Sequence, residues 1–317
     1  MCLRKGTTTM KIESFSKKHL AAAEALALSC YAEERAICPI LPECEKTPSL
    51  SRFAENGLGA AATENGELLG FLCCIGPIPK MFRTAMDGVF SPLHAHGAVR
   101  ENRTDIYQRL YAAAAEKWVR AGALYHALAL YEHDANGKRA FFEYGFGQRC
   151  ADAVRPMTAV AHPPVTGFMF TDASAAEIRE LRLGLDRHMW NSPFFRVSDD
   201  ETRAAWLSRL ENDAERRTFA ARTADGTPVA YLDIADEGEN FASDSEGMKN
   251  ICGAYCLPAY RGTGLMNTLL DAVVSVLRAE GVTRLGVDYE SMNPTALRYW
   301  RKHFTPYTAS LTRRIDE

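Results

Sequence analysis

The most constraining feature of the sequence is an amphipathic pattern over residues 265–280, which predicts a helix with one buried face. A strand pattern over 251–257 precedes this helix, and another over 283–289 follows it. Gly281 stands where a left-handed helix cap is expected, and the Asn-Pro pair at 293–294 predicts the start of a second helix. The apolar positions of the first helix are Leu265, Met266, Leu269, Leu270, Val273, Val274 and Leu277.

The turn between the first strand and this helix has the features of an anion site. Gly262 and Gly264 let the backbone curl tightly and let another molecule approach closely. Unpaired N–H groups and the positive end of the helix dipole favour an anion at the start of the helix. Arg261 adds a fixed positive charge. A diphosphate fits this turn, and the alternative is a tight corner that holds no ligand.

The order of these elements resembles the GCN5-related N-acetyltransferase (GNAT) family over roughly residues 167–317. In that family a Gln/Arg-x-x-Gly-x-Gly/Ala turn holds the pyrophosphate of coenzyme A. Here the turn reads Arg261-Gly-Thr-Gly264-Leu-Met266, with Met266 in place of the last small residue. The resemblance implies a set of coenzyme A-binding residues, namely Leu257, Arg261, Gly262, Thr263, Gly264, Leu265, Met266, Asn293 and Trp300.

The next signature of the family, Asn-x-x-Ala…Tyr…Gly-Phe, appears as Asn293-Pro-Thr-Ala296…Trp300…Phe304, without the glycine. In many members the tyrosine protonates the departing thiolate, whereas the indole of Trp300 is no proton source near neutral pH. Three accounts remain open. The thiolate leaves unprotonated or takes a proton from water; the domain binds an acyl-coenzyme A without turnover; or another hydroxyl substitutes, from Tyr289, Tyr299 or Tyr307.

The resemblance also implies the fold, which is α/β (α+β) with two tandem acetyltransferase-like domains. Each is expected to be a mixed, mostly antiparallel twisted sheet flanked by helices. The first half of the chain repeats the element order of the second, with a helix over 104–121, a strand over 125–131 and a helix over 136–144. We predict a degenerate GNAT-like domain over 10–160 and a GNAT acetyltransferase domain with the coenzyme A site over 166–317.

The first copy lacks an Arg-x-x-Gly turn, and it carries the acidic Glu101 where a phosphate would approach. We therefore do not expect the first copy to hold coenzyme A. In the second copy, the aromatic segment over 188–195 is placed where the family has part of its acceptor pocket. A hydrophobic plug under a loop is the alternative for that segment.

Acyl transfer to an amine needs a polarised thioester carbonyl and a neutral amine. A backbone N–H near Cys256 or Leu257, at the end of the first strand, is the predicted donor to the carbonyl oxygen. Glu290 is the candidate base, because it ends the next strand beside the expected cleft. Other carboxylates remain open as bases, namely Glu237, Glu239, Asp244, Glu246 and Asp288. For the thiols of Cys252 and Cys256, which we expect to share a strand face, small apolar fillers are favoured over a catalytic role.

Composition limits the other classes of function. The 317 residues are 47% hydrophobic and 24% charged, which predicts folded domains, and the net charge of −3 argues against nucleic acid as a partner. No apolar run approaches the ~20 residues that a membrane-spanning helix needs. Nine cysteines without Cys-x-x-Cys pairs argue against a disulfide framework or a zinc site and favour the cytoplasm. His94 and His96 are expected to be a solvated loop pair, with no metal.

The sequence therefore predicts an N-acetyltransferase that moves an acyl group, acetyl by expectation, from coenzyme A to the amine of a small molecule. The expected mechanism is direct attack in a ternary complex, with acetyl-CoA as co-substrate and no metal. The alternative is a non-catalytic acyl-coenzyme A-binding sensor or scaffold protein. Association into a homodimer is left open.

Overall fold

The computed structural model describes residues 10–196 and 199–315. These residues divide into two compact units. The first contains the described residues up to Cys150 together with those from Tyr307 onward, and the second is Ala151–Pro306.

The first unit combines two sheets with helices. Its helices are α1 (Leu20–Ile37), α2 (Ser51–Glu55), α3 (Arg103–Arg120) and α4 (Ala135–Glu143). Its strands are β1 (Lys11–Ser14), β2 (Ala60–Glu64), β3 (Glu67–Leu72), β4 (Ile75–Ile78), β5 (Gly88–Ser91), β6 (His96–Ala98), β7 (Tyr125–Tyr131), the start of β8 (Gly147–Pro156) and, from the end of the chain, β15 (Thr308–Arg314). One sheet has the strand order β1-β2-β3-β6, and the other joins β4, β5, β7, β15 and the first residues of β8.

The second unit is built around one sheet. Its helices are α5 (Arg179–Trp190), α6 (Asp200–Glu211), α7 (Leu265–Ala279) and α8 (Pro294–His303). Its strands are β9 (Met169–Asp172), β10 (Arg217–Arg222), β11 (Pro228–Ala235), β12 (Met248–Cys256), β13 (Arg284–Glu290), β14 (Thr305–Pro306) and the rest of β8. The strand order is β8-β13-β12-β11-β10-β9, with β14 paired to β8.

The predicted fold class is confirmed, since both units are mixed α/β structures with sheets flanked by helices. Most strand pairs are antiparallel, whereas β5 with β7 and β12 with β13 are parallel. No helix in the described part of the chain combines the length and the apolar character that crossing a bilayer requires.

Local patterns in the sequence explain the elements that position the site. Helix α7 begins at Leu265, and six of its seven predicted apolar positions are buried, Met266 being half-buried. Gly281, just after the end of α7, has φ +90°, as a left-handed cap requires. Helix α8 begins after Asn293, whose side-chain oxygen accepts the N–H of Ala296 at 3.3 Å. The predicted β2–β3 hairpin turns at Asn65-Gly66, where both residues have positive φ.

The two units differ from the predicted ranges 10–160 and 166–317. Strand β15 pairs with β7 along its whole length, from Thr308↔Tyr131 to Arg314↔Tyr125, so the end of the chain belongs to the first unit. The predicted linker over 158–167 lies within the second unit and is bonded to helix α7. The N–H of Val160, for example, donates to Asp271 Oδ1 at 2.7 Å.

The prediction of a solvated histidine pair is wrong, because His94 and His96 are both buried. The ring of His96 is held by two polar groups: Nε2 lies 2.6 Å from the carbonyl oxygen of Ala129, and Nδ1 lies 3.1 Å from the hydroxyl of Tyr107. A carbonyl oxygen only accepts, so Nε2 carries a proton, and burial lowers the pKa of His96, which favours the neutral ring. The short loop before β6 packs inward, which the sequence pattern does not reveal.

The buried His126 makes the stability of the first unit depend on pH. Burial lowers the pKa of His126 from 6.5 to about 4, so its neutral form favours the folded state above pH 6.5. This contribution is lost as pH falls from 6.5 toward 4, and it amounts to about 3 kcal/mol. We expect the free energy of unfolding in urea to fall less steeply over this range in His126→Gln than in the wild type. An unchanged slope in His126→Gln would contradict the assignment.

Candidate active site

Strands β12 and β13 run side by side for a short distance and then separate. Their parallel pairs extend from Met248↔Arg284 to Ile251↔Val287, and no later pair joins them within the described residues. The register of β12 against β11 shifts at this point, between Asp233 and Ile234, which leaves Cys252 as an extra residue on β12. The bulge bends β12, and a gap opens between the two strands beyond Ile251.

The antiparallel register on the other side of β12 decides which backbone groups face this gap. The N–H of Leu257 donates to the carbonyl oxygen of Val229 at 2.9 Å. Cys256 and Ala230 are therefore a pair without mutual hydrogen bonds, and the peptide groups of Cys256 point away from β11. Of the two predicted donors, Cys256 thus has its N–H at the gap. The prediction for Leu257 is corrected, because its N–H is already bonded.

The glycine turn before α7 has the predicted open shape. Gly262 and Gly264 have φ of +76° and +90°. A Cβ placed on Gly262 would meet nothing within 4 Å, whereas one on Gly264 would lie 3.2 Å from Val165 Cγ2. The hydroxyl of Thr263 donates to the carbonyl oxygen of Tyr260 at 2.7 Å, so this side chain stabilises the turn itself. The turn therefore has space for another molecule at Gly262.

A cavity of about 1090 Å³ extends from this turn to the gap. Its basic lining residues are Arg155, Arg261, Arg298 and Lys302. The imidazole rings of His188 and His303 also line it. Among the described residues that line it there is no aspartate and no glutamate. The cavity is therefore suited to a ligand with several negative charges.

The cavity is lined from both faces of the sheet. Leu265 and Trp300 belong to the core on the side of α7 and α8. Tyr255 and the α5 residues Leu185 and His188 line the cavity from the opposite side, where Tyr255 packs in a smaller cluster with α5. A cavity with these walls passes through the sheet at the gap between β12 and β13.

Helix α8 brings three of the predicted positions to the cavity wall. Asn293, 6% exposed, caps the helix, and Trp300, 5% exposed, packs edge-on against Phe304 with ring centroids 5.4 Å apart. The neighbouring Tyr299 also lines the cavity, and its hydroxyl donates to the carbonyl oxygen of Met266 at 3.0 Å. Burial raises the pKa of Tyr299, so it stays protonated at neutral pH. Of the three tyrosines considered, Tyr289 is buried in the core and Tyr307 lies in the first unit.

The structure brings most of the predicted residues together. The cavity wall contains Cys256, Arg261, Gly262, Gly264, Leu265, Met266, Asn293 and Trp300. Leu257, Thr263 and Glu290 are not part of the described wall. Glu290 is half-buried at the end of β13, where its carbonyl oxygen accepts the N–H of Asn293 at 3.1 Å. Its role as base stays a prediction.

A second cavity, of about 340 Å³, has the opposite charge. It reaches Cys252 and Asp288, the first residues of β12 and β13 beyond their last pair. Its carboxylates are Asp152, Asp213, Glu215, Asp236, Glu237, Glu239 and Asp288, beside Arg209 and Arg216. Crowding by the surrounding protein, together with the carboxylates of Glu239, Asp152 and Glu290, raises the pKa of Asp288 above its ordinary value, although its side chain remains exposed. No group of three or more His, Cys, Asp or Glu in the described part of the chain is arranged to hold a metal ion.

Two groups of residues in the large cavity were not singled out from the sequence, although His188 opens the segment 188–195 that was predicted for the acceptor pocket. Leu185 and His188 follow Leu181 on α5 at helical spacing, which was a signal for one inward face. Arg298 and Lys302 are four residues apart on α8. Helical spacing would have indicated both pairs, since each lies on one face of its helix, Leu185 and His188 on α5 and Arg298 and Lys302 on α8.

The bulge also separates the two thiols that were expected to share a face. Cys256 packs in the core with α7, whereas Cys252 lines the acidic cavity and its sulfur lies 2.6 Å from Arg216 Nη1. Burial raises the pKa of Cys256 to about 11 and that of Cys252 to about 12. Neither thiol is activated as a nucleophile at neutral pH.

The raised pKa of Cys256 predicts slow alkylation. With a pKa of about 11, roughly one molecule in ten thousand carries the thiolate at pH 7. We expect iodoacetamide to modify Cys256 more slowly than the half-exposed Cys44 at pH 7.5, as measured by peptide mass spectrometry over time. Faster modification of Cys256 would indicate an activated thiolate and contradict its role as a filler.

Comparisons with known proteins agree with this geometry. Residues 177–304 match the profile described as the acetyltransferase (GNAT) family. Among solved structures, a GCN5-related N-acetyltransferase from Sphaerobacter thermophilus is 14% identical, with 97% of this chain and 96% of that chain covered and a TM-score of 0.59. A GCN5-related glucosamine N-acetyltransferase region of a fungal multi-domain GH3 beta-N-acetylglucosaminidase is 15% identical, with 97% and 38% covered and a TM-score of 0.53. A comparison with curated proteins gives no match.

The similar structures agree with the chain in fold, and the matched segment contains the glycine turn, the gap and helix α8. Residues 177–304 therefore have the sequence features of the acetyltransferase (GNAT) family.

Proposed function

We propose that the second unit is an acyl-coenzyme A-dependent N-acyltransferase that acts on a small-molecule amine. The observation that carries the proposal is the cavity of about 1090 Å³, which joins an open glycine turn to a gap in the sheet and is lined by cations without carboxylates. Coenzyme A carries a diphosphate and a further phosphate, and its thioester lies at the far end of a long, flexible arm. A cationic cavity that ends in a gap between strands suits such a molecule.

The residues present fit the diphosphate. The turn is open at Gly262, where even a Cβ would meet nothing within 4 Å, and α7 starts without a side-chain cap. The first N–H groups of a helix have no partner within the helix. In α7 the N–H of Leu265 contacts Thr263 Oγ1 at 3.4 Å, and the N–H groups that follow it are donors for an anion. Arg298 and Lys302, exposed at the cavity wall, would hold a further phosphate. The bound co-substrate supplies the activated acyl group.

The groups at the gap would polarise the thioester. The N–H of Cys256 points into the gap, and a fixed donor at a developing oxyanion contributes about 3 kcal/mol to catalysis. Arg261 holds the next peptide group, between Cys256 and Leu257, because its Nε donates to the carbonyl oxygen of Cys256 at 2.9 Å. The acidic cavity at Cys252 and Asp288 favours a cationic acceptor over an anionic one. The cytoplasm remains the proposed compartment.

Release of coenzyme A from acetyl-CoA tests the function directly. We expect a panel of primary amines, amino sugars and polyamines to contain an acceptor that raises thiol release above the rate in water, measured with a thiol reagent. Acetyl-CoA binding without thiol release for any amine would favour a binding protein. An absence of acetyl-CoA binding by calorimetry would overturn the proposal.

A matched pair of substitutions tests the diphosphate assignment. Asn and Asp both tolerate the left-handed conformation of Gly262, but only Asp brings a negative charge to the turn. We expect Gly262→Asp to weaken coenzyme A binding at least tenfold more than Gly262→Asn, because a carboxylate would repel the diphosphate. Dissociation constants from calorimetry check this, and equal affinities would remove the diphosphate from the turn.

A further inference from the structure

Helix α5 lies against the face of the sheet opposite to α7 and α8, and it approaches strand β12 closely. Gly184 makes this possible, because a Cβ at this position would lie 2.7 Å from Cε1 of Tyr255. Leu181, one turn earlier, is buried in the same cluster as Tyr255. The inward face of α5 thus runs over the end of β12, and one turn after Gly184 this face presents His188.

His188 is placed over the open end of the gap. Its ring centroid lies 6.5 Å from that of Tyr255 on β12. Its Nε2 lies 3.4 Å from Oδ1 of Asn293, which follows the end of β13. His188 therefore contacts both separated strands or their continuations, and it lines the large cavity on the face from which α5 looks into the gap.

The hydrogen bond to Asn293 fixes which ring nitrogen carries the proton. Oδ1 of Asn293 is an acceptor, since it also receives the N–H of Ala296 and the hydroxyl of Thr295. In the neutral ring Nε2 must therefore carry the hydrogen and donate it, which leaves the lone pair on Nδ1. No protein partner for Nδ1 is present among the described residues, so this nitrogen is available to accept a proton.

We propose that Nδ1 of His188 accepts the proton that the acceptor amine loses during acyl transfer. This assignment rests on the proposed function and deepens it. It differs from the prediction for Glu290, because the described wall of the large cavity contains His188 and no carboxylate. The N-cap of helix α8 then has a second task, since Asn293 holds the imidazole in the tautomer that can act as a base.

The step balances without any further reactant. The amine nitrogen forms a bond to the acyl carbon, and the bond between that carbon and sulfur breaks. The electron pair of the broken bond stays on the sulfur as a thiolate. The proton of the attacking nitrogen moves to Nδ1 of His188, which later returns it to water.

The decisive variant is His188→Gln. The amide nitrogen of glutamine can replace Nε2 as donor to Asn293, while no basic nitrogen remains at the position of Nδ1. We expect thiol release from acetyl-CoA at pH 7 to fall about 100-fold, with the best amine of the panel or, where none reacts, with water alone. The rate of thiol release by the His188→Gln variant should rise with pH, because the amine itself then loses its proton. Arg187→Gln, at the exposed neighbour on α5, should retain the wild-type rate.

Two readouts do not depend on turnover. Coenzyme A affinity should remain within about twofold of the wild type in His188→Gln. In protein labelled with ¹⁵N-histidine, the shifts of His188 should show the proton on Nε2. Asn293→Ser, which keeps a capping hydroxyl but withdraws the oxygen from the ring, should give a mixture of both tautomers.

The outcomes separate this inference from the proposed function. A wild type that neither binds nor turns over acetyl-CoA overturns both. An active wild type with an equally active His188→Gln, or a proton on Nδ1 in the wild type, overturns the role of His188 alone. A loss of coenzyme A affinity in His188→Gln would make His188 part of the binding site and also overturn its role as base.

Discussion

The site depends on the end of the pairing between β12 and β13. The two strands share four residue pairs, and the bulge at Cys252 then turns β12 away. Because pairing stops there, the peptide group of Cys256 has no strand on its outer side, and the sheet has an opening wide enough to join the spaces on its two faces. If the ladder continued, the N–H of Cys256 would be bonded to β13 and the cavity would be divided in two.

The charged residues around the gap are divided between the two cavities of the second unit. The large cavity has a basic wall, and the small cavity at Cys252 and Asp288 has an acidic one. A polyanionic donor and a cationic acceptor would therefore be attracted to different places, and both would meet near the gap. The separation matters because opposite charges in one cavity would pair with each other instead of with the ligands.

The sequence predicted the parts of this site that depend on local rules. The glycines of the turn, the apolar face of α7 and the cap at Asn293 all follow from requirements within a few residues. The bulge was not predictable, because it arises from the register between β11 and β12. This register determines whether the N–H of Cys256 or that of Leu257 faces the gap, and it also determines the surroundings of Cys252. His188 was missed as an individual residue because its importance comes from Tyr255 and Asn293, which are distant in the sequence.

The first unit shows what happens when the same order of elements lacks these features. Its counterpart of the gap lies between β6 and β7, which belong to different sheets, and the ring of His96 on β6 bonds to Ala129 on β7 across it. Near the start of α3, both Arg100 and Arg103 pair with the carboxylate of Glu33. The carboxylate of Glu33 thus pairs with both arginines, and the ring of His96 connects β6 to β7. That this unit does not hold coenzyme A stays a prediction, which these contacts support in addition to the missing Arg-x-x-Gly turn.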